Sequence, residues 1–457
     1  MGLKRIFPTK DNTLTNAFKE NLLNRGTGSN MGAADILEIF SIYGQQSTSS
    51  IEKSRAIVQF DIDDFGSLPS GCSYYLKLFN CPHGETNPIH FSLDVHPLSS
   101  SWQEGTGLDM NSYIDEGSSN WIKRDDNTNW ATEGGDILQV TSSQYFDKGT
   151  ENLEVNVTSI VNSWLSGNYS NNGFILKLAS EYENSNLQSF YTKKFFSRSS
   201  EYFVKRPVLE ARWNETIFDD RSKIFTSSSL LGTQNLYNIY LYNIWNGEYI
   251  NIPSIEEGEI YVSLYESLGG AKLSTFTGSF VETGIYKTQI YTNSTSSILY
   301  DVWHDSNGNE FYSGSFQILT HSAANNSIKL TDKILTIKNL QSFYKNTEQV
   351  RINTFIRNKN WQPSIYTVAT SEIENEIIKN LYYYSYRYQD GFEIIPVITS
   401  SLYEHTKMNY DISGNYFNLD MSIYEPGYMY CLGFYTKTTD NKIIKLANEF
   451  KFRVEDE

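Results

Sequence analysis

Short stretches in which apolar and polar residues alternate recur along the chain, and this pattern constrains the fold more than any other feature. In the segment 55–63, Val58, Phe60 and Ile62 fall on one face, and polar residues between them fall on the other. Successive side chains of a β-strand point to opposite faces, so such a segment predicts a strand with one buried face. We therefore expect an all-β chain of antiparallel strands with one face on a core and one face in solvent.

Length and turn signals divide the chain into three expected domains. At about 100–200 residues per domain, a chain of 457 residues holds two to four domains. Changes in the spacing of strand segments and turn signals place the domains at residues 1–213, 214–324 and 325–457. In the second, short strands and turn dipeptides such as Asn307-Gly308 predict a seven-stranded sandwich, and the third, with Asp390-Gly391, shows the same pattern of strands and turns.

A few local elements interrupt the strand pattern. Thr158 is expected to be the N-cap of a short helix over 159–165, which buries Ile160, Val161 and Trp164. A second short helix is expected over 371–379, where Ser371 and Glu374 have the spacing of a capping box. The polar stretch 21–32 is expected to be an arm that becomes ordered when it docks on a neighbour.

Composition limits the partners that such a chain can have. The formal net charge of −16 repels phosphate backbones and anionic membranes, so neither nucleic acid nor a membrane is an expected partner. No stretch approaches the roughly 20 apolar residues that span a bilayer. No apolar stretch follows the basic residues near the N-terminus, so we expect no signal peptide and synthesis in a cytoplasm. Three cysteines make no disulfide framework, and free thiols are expected.

Four sequence segments of the first domain resemble, in order, those of the DNRLRE-type β-sandwich, a jelly-roll module akin to some carbohydrate-binding modules. They are an arginine-led apolar strand at 55–62, a second strand at 75–80, a tryptophan–glutamate loop at 101–105 and a valine-rich strand with a helix at 155–165. The resemblance implies an antiparallel jelly roll, followed here by the two immunoglobulin-like sandwiches. Most such domains are exported, whereas this chain begins without an evident export signal.

A second resemblance covers nearly the whole chain and is to structural proteins of tailed-phage virions. It rests on the segments 8–11, 25–32, 107–110 and 191–198. It implies a bacteriophage structural protein of the tail, collar, fibre attachment or capsid decoration. The implied partners are other virion proteins and copies of itself, in a homo-oligomer within a symmetric assembly, and the implied location is the virion. The alternative is a glycan-binding module or adhesin that contacts the host surface.

The candidate metal ligands in the sequence are carboxylates and histidines. Asp61, Asp63 and Asp64 form one acidic group, and the loop with Asp125, Asp126, Asn127, Glu133 and Asp136 forms another. Either group can supply oxygen ligands to Ca²⁺, but a solvated strand end or loop is the favoured explanation of each. His83, His90 and His96 lie too far apart along a strand to converge on zinc. We expect no metal or cofactor, with Ca²⁺ as the alternative.

No catalytic residues are predicted. The sequence has no nucleophile-elbow motif and no metalloprotease helix, while its abundant carboxylates leave a glycosidase pair, and so an accessory enzyme acting on polysaccharide, as an open alternative. The candidate contact residues are aromatic instead: Trp102, Trp121, Trp130, Tyr384 and Tyr386. The tryptophans either stack on sugars or fasten an irregular loop to the sandwich. The two tyrosines belong to an alternating run that is either an interface strip or half core and half surface.

Overall fold

The computed structural model describes residues 2–19, 22–44, 49–69, 71–108, 112–213, 217–227, 235–319, 333–360, 375–398, 405–437 and 442–456. Most regular structure in these residues is β, and the sheets are antiparallel apart from two short parallel pairs. The predicted all-β class is confirmed. We call the described residues 2–213 the first unit, 217–319 the second unit and 333–456 the third unit.

The first unit contains eleven described strands and two helices. The strands are β1 (Gly2–Ile6), β2 (Pro8–Thr15), β3 (Ile36–Tyr43), β4 (Ile51–Phe60), β5 (Ser73–Leu78), β6 (Phe91–Pro97), β7 (Ser142–Phe146), β8 (Leu153–Asn156), β9 (Phe174–Leu178), β10 (Phe190–Phe196) and β11 (Val208–Trp213). The helices are α1 (Thr158–Leu165) and α2 (Ser180–Glu183).

These strands form a jelly roll. One sheet has the order β1-β11-β5-β8, and the other has β10-β3-β4-β9-β6-β7 with β2 paired to β4. The chain changes sheet from β4 to β5 to β6, and again from β7 to β8 to β9, which is the strand exchange of a jelly roll. The inward rows meet between the sheets, and Phe91, Leu93 and Val95 are fully buried there as their alternation predicts.

Two local predictions for the first unit need correction. Strand β4 ends at Phe60, because Asp61 turns the chain into a 3₁₀ turn over Ile62–Phe65. Thr158 is the first residue of α1 and not its cap. Its hydroxyl accepts a hydrogen bond from Tyr74 N at 2.8 Å, on the neighbouring strand β5. The predicted burial of the apolar side of α1 is confirmed, with Ile160, Val161 and Trp164 all at or below 5% exposure.

The second unit is a sandwich made from one continuous seven-stranded sheet. Its described strands are β12 (Ile224–Phe225), β13 (Tyr237–Tyr242), β14 (Ile244–Trp245), β15 (Glu248–Tyr249), β16 (Ile260–Tyr265), β17 (Lys272–Glu282), β18 (Ile285–Ile290), β19 (Ile298–His304) and β20 (Glu310–Leu319). The order is β12-β20-β19-β16-β17-β18-β13, with β14 and β15 as a separate hairpin. Strand β17 pairs with β16 before Gly278 and with β18 after it, so it passes from one layer to the other.

The third unit has two separate sheets. Its described strands are β21 (Lys333–Ile337), β22 (Phe343–Lys345), β23 (Gln349–Asn358), β24 (Leu381–Arg387), β25 (Glu393–Ile395), β26 (Asn409–Asp411), β27 (Gly414–Asp420), β28 (Met429–Lys437), β29 (Ile443–Lys445) and β30 (Phe450–Glu455). One sheet has the order β21-β23-β27-β26, and the other has β22-β30-β28-β24-β25 with β29 on β28.

Both later units have the strand arrangement of immunoglobulin-like domains, which confirms the prediction. In each unit an early short strand pairs in parallel with the last strand, as β12 does with β20 and β22 with β30. The third unit also has the tyrosine corner of this fold, because Tyr430 at the start of β28 donates its hydroxyl to Glu425 O at 2.7 Å.

The predicted helix over 371–379 is not formed in the described part. Residues 371–374 lie outside the described residues, and 375–379 contain no helix. Asn375 explains the difference, because its Oδ1 accepts a hydrogen bond from Ile356 N at 2.9 Å and Glu376 N donates to Ile356 O at 2.8 Å. These bonds hold the chain alongside β23 in place of helical bonds.

Candidate functional site

Charged side chains line the outer face of the four-stranded sheet of the first unit. Glu210 on β11 lies opposite Arg5 on β1, and Lys77 on β5 lies opposite Glu154 on β8. Arg5 Nε is 2.6 Å from Glu210 Oε2, and Arg212 Nη2 is 2.5 Å from both Glu210 Oε1 and Glu154 Oε1. The alternation in β11 and β5 indicates an outward polar face, which ordinarily faces solvent.

The third unit covers this polar face. Arg5 Nη2 donates to Ile394 O at 2.7 Å, and the ring centroids of Phe79 and Phe392 are 6.1 Å apart. Leu3 packs into the core of the third unit. As a result Glu210 has no exposed surface, although its position in the alternation predicts exposure. We call this contact between the first and third units the charged junction.

Burial and charge compete at the charged junction. Burial tends to raise the pKa of Glu210, but Lys77, Arg5 and Arg212 hold the pKa of that carboxyl well below its usual value. Burial lowers the pKa of Lys77, against the attraction of Glu210. Burial and the charge of Arg212 lower the pKa of His405 to about 3, so its imidazole is neutral at physiological pH. Glu210 is therefore a carboxylate that the three cations keep ionised.

A second joint connects the second and third units. Phe218 forms a parallel bridge with Tyr410, and Tyr410 N donates to Ile217 O at 3.0 Å. The carboxylate of Asp220 accepts from the Tyr410 hydroxyl at 3.1 Å and pairs with Lys379 Nζ at 2.8 Å. The segment that enters the second unit thus extends the sheet of the third unit at β26. The third unit is joined to both of the others.

The tyrosine run of β24 lies on the outer face of the third unit. The hydroxyls of Tyr384 and Tyr386 donate to the two oxygens of Glu449 at 3.1 Å and 2.7 Å. Tyr384 is only 4% exposed, whereas Tyr388 at the end of the run is 50% exposed and has Lys451 Nζ 3.6 Å from its ring centroid. Of the two predicted contact residues, Tyr384 is therefore covered, and Tyr386 is half-buried beside an exposed tyrosine.

An exposed apolar hairpin projects from the second unit, and the sequence analysis did not identify it. Asn246 and Gly247 have φ of 50° and 88°, as a two-residue type I′ turn requires, and they join β14 to β15. Large apolar side chains around this turn are 37–67% exposed: Ile244, Trp245, Tyr249 and Ile250. A contiguous exposed apolar patch is a feature of contact surfaces. The sequence signal was the Asn-Gly pair flanked by apolar residues.

The three predicted tryptophans lie together but are buried. Trp102, Trp121 and Trp130 are 3–5% exposed and pack in a small core on the outer side of β2, β4 and β9. Trp102 Nε1 donates to Asn172 O at 2.9 Å, and the guanidinium of Arg55 lies 5.1 Å from the centroid of the Trp121 ring. These rings have no free face for a sugar, which corrects the alternative of a stacking platform. They fasten the long loop to the sheet.

The carboxylates considered for Ca²⁺ close turns in the backbone. Asp61 Oδ1 accepts from Asp63 N at 3.1 Å. Asp125 Oδ1 accepts from Asn127 N and Thr128 N at 2.9 Å and 2.8 Å, and these bonds lower the pKa of Asp125. Within the described ranges, no three His, Cys, Asp or Glu side chains are grouped as a metal site requires.

The three histidines of the first unit have separate surroundings. His83 Nδ1 lies 3.0 Å from Glu85 Oε2. His90 Nδ1 lies 3.0 Å from the Tyr145 hydroxyl, and His96 Nδ1 lies 3.0 Å from Val140 O. The three rings have different neighbours, and they do not share a site.

A serine–histidine pair in the second unit has catalytic spacing but no access to a substrate. Ser263 Oγ is 2.8 Å from His304 Nε2, and His304 Nδ1 is 2.7 Å from Asp305 O. Ser263 also shares a hydrogen bond with Thr275 Oγ1 at 2.9 Å and has no exposed surface. Nucleophilic catalysis requires a serine that reaches the scissile carbonyl, so this pair stabilises the sheet face.

The polar stretch 21–32 is not a free arm where it is described. Ser29, Asn30 and Met31 are at most 1% exposed. Asn30 Nδ2 donates to Glu104 O at 2.7 Å and to Ser119 O at 2.8 Å, which ties the stretch to the long loop. Asn21 lies outside the described residues. Residues 25–32 therefore pack against the same chain, whereas Leu22 and Leu23 are 54% and 80% exposed, and docking of the stretch on a neighbour stays a prediction.

Comparison with known proteins finds no matching family model and no matching curated protein. Solved structures give low-scoring likenesses. A titin A168–A169 structure covers 51% of this chain and 94% of its own, at 10% identity and a TM-score of 0.16. An ice-binding, Ca²⁺-stabilised adhesin of an Antarctic bacterium covers 100% of this chain and 99% of its own, at 8% identity and a TM-score of 0.15. Escherichia coli alpha-2-macroglobulin covers 88% of this chain and 24% of its own, at 8% identity and a TM-score of 0.16.

TM-scores this low carry no argument about fold or function, and the fold assignment rests on the strand pairing. The candidate site is therefore defined by geometry alone. It comprises the charged junction, the second joint at Tyr410, the exposed hairpin with Trp245 and the surface with Tyr386 and Tyr388.

No helix in the described ranges has the length and apolar character that a membrane crossing requires.

Proposed function

We propose that this chain is a non-enzymatic structural component of a bacteriophage virion, in the tail, collar, fibre attachment or capsid decoration. It acts through protein–protein assembly interfaces, and its partners are other virion proteins and copies of itself. One observation carries the proposal: the third unit is joined by buried polar contacts to the first unit and to the second. The resemblance of the sequence segments to virion proteins supports it.

The two joints give the chain the mechanical character of an assembly part. Separating the charged junction would expose Glu210 and break the hydrogen bond from Arg5 to Ile394 O. Separating the second joint would break the Asp220–Tyr410 hydrogen bond and the Asp220–Lys379 ion pair. Specific contacts of this kind distinguish the chain from sandwiches that are connected by flexible linkers alone.

Two exposed aromatic surfaces lie on different units of the chain. The hairpin with Trp245 belongs to the second unit, and the surface with Tyr386 and Tyr388 belongs to the third. Partly exposed aromatic side chains are the residues that most often supply binding energy at protein interfaces. Two such surfaces on one chain suit a subunit that contacts more than one neighbour in a symmetric particle.

Mass spectrometry of purified phage particles, together with the concentration dependence of the recombinant chain's mass, tests this function. We expect the chain at a copy number that fits the particle's symmetry and self-association or binding to a neighbouring virion protein. Absence from purified particles, with a recombinant chain that stays monomeric and binds no virion protein, would overturn the proposal.

The second candidate partner is a host-surface glycan. Its candidate site does not include the buried tryptophans. A groove of about 640 Å³ between the first and third units is lined by Phe7, Phe203, Asn346 and Gln349, among others. Aromatic rings beside amide side chains suit the apolar faces and hydroxyls of a sugar. A glycan array with the Asn346→Ala variant as control tests this candidate, and failure of the unmodified chain to bind any glycan excludes it.

A further inference from the structure

A cavity of about 210 Å³, partly open to solvent, lies at the charged junction. Its walls include Lys77, Glu154 and Arg212 from the first unit and His405 from the third. A single water takes up about 30 Å³ in the liquid, so the cavity has room for a small ligand together with water. The polar walls make it unlike the empty apolar cavities of protein cores.

The charges around this cavity do not balance. Arg5, Lys77 and Arg212 are cations, and Glu154 and Glu210 are the two carboxylates that face them. The third unit adds His405, which is neutral, and apolar side chains to the cavity wall. One positive charge is therefore in excess on the pocket walls, where the side chains of Arg5, Lys77 and Arg212 are at most 10% exposed, and this favours an anionic partner.

Two polar groups on the walls lack close partners. Lys77 Nζ lies 3.5 Å from Glu154 Oε2 and 3.8 Å from Glu210 Oε2, beyond the roughly 2.7–2.9 Å of a charge-assisted hydrogen bond. His405 is 8% exposed, and its Nδ1 has no hydrogen-bond partner in the described part of the chain. In contrast, Arg5 and Arg212 are within 2.6 Å of their carboxylates.

We infer that this cavity binds one small monovalent anion of halide size, held by the Lys77 ammonium and the ring N–H of His405. A single negative charge cancels the excess and gives both groups a partner. A multiply charged anion such as phosphate is disfavoured, because Glu154 and Glu210 lie on the same walls. The competing outcome is a Lys77 that is uncharged in a cavity filled with water.

Bromide alone is the probe that separates these outcomes. In crystals of the full chain grown in sodium bromide, we expect an anomalous bromine peak in the cavity, within hydrogen-bonding distance of Lys77 Nζ. The Lys77→Met variant removes the excess charge and should lose the peak, whereas the exposed control Lys148→Met should keep it.

Thermal unfolding gives a second readout that does not need crystals of the variant. At constant ionic strength, replacing gluconate with bromide should raise the melting temperature of the wild type with saturation, and leave that of Lys77→Met unchanged. No bromine peak, with identical bromide responses in the wild type and Lys77→Met, would overturn the inference. The result is independent of whether the chain is found in virions.

Discussion

Arg5 connects two units through its pairing with Glu210. Its Nε lies 2.6 Å from Glu210 Oε2 within the first unit, while its Nη2 donates to Ile394 O of the third unit at 2.7 Å. Glu210 therefore fixes the guanidinium that crosses the charged junction. The docking of the third unit therefore depends on Glu210, a carboxylate that has no exposed surface.

Replacing Glu210 should be among the most damaging single changes in the chain. Glu210→Ala leaves Arg5 and Arg212 buried without this partner, and we expect the free energy of unfolding to fall by about 3–5 kcal/mol. Urea unfolding followed by fluorescence measures the change. The exposed control Glu257→Ala should stay within about 0.5 kcal/mol of the wild type. A loss below about 1 kcal/mol for Glu210→Ala would mean that the junction contributes little.

Asp11 should make stability depend on pH near neutrality. Burial, together with the charge of Glu104, raises the pKa of Asp11 to about 7, against the hydrogen bond from Arg198 N. Between pH 4 and pH 7 the folded chain keeps a proton that the unfolded chain has released. The contribution of Asp11 to stability is therefore present at low pH and is lost as pH rises through this window.

The Asp11→Asn variant isolates that contribution, because an amide carries no charge at any of these pH values. The stability of the wild type relative to Asp11→Asn should fall from pH 4.5 to pH 8, by at most about 4 kcal/mol. Urea unfolding at several pH values measures it, with the exposed Asp64→Asn as the control. Parallel curves for the wild type and Asp11→Asn would contradict the raised pKa.

The strands could be predicted because alternation depends on nearest neighbours along the chain. The row of Phe91, Leu93 and Val95 is buried as predicted, and the turn at Gly308 joins β19 to β20. The sandwich class of the later units followed from strand lengths and turns, and their immunoglobulin-like arrangement was implied by the resemblance. Local sequence carries this information because each strand turns one face to its own core.

The charged junction could not be predicted in the same way. Glu210 and Lys77 alternate with apolar residues as the outward face of a sheet does, and the sequence does not reveal which outward face another unit covers. For Trp102, both burial and exposure fitted the sequence, since an irregular loop has no periodicity to decide between them. Contacts between distant segments decided these cases.

The buried tryptophans should matter for stability and not for sugar binding. Trp130 is 5% exposed and donates its Nε1 to Asn120 O at 2.9 Å, so Trp130→Ala should cost about 3–5 kcal/mol. Any glycan binding by the folded variant should match that of the wild type on the same array. A folded Trp130→Ala that loses glycan binding while keeping its melting temperature would restore the stacking role.

The exposed hairpin should act in assembly and not in folding. Trp245 is 67% exposed, so replacing it removes little buried surface, and Trp245→Ser should change the free energy of unfolding by less than about 0.5 kcal/mol. If the hairpin is a contact surface, the same change should weaken self-association or binding to virion proteins at least tenfold, because exposed tryptophans often anchor interfaces. Analytical ultracentrifugation over a range of concentrations measures self-association, and particle incorporation measures assembly.

Leu187→Ser, at a position 94% exposed in the first unit, is the matched control for Trp245→Ser. Equal assembly by Trp245→Ser and the wild type would assign the contacts to another surface, with Tyr388 as the next residue to replace.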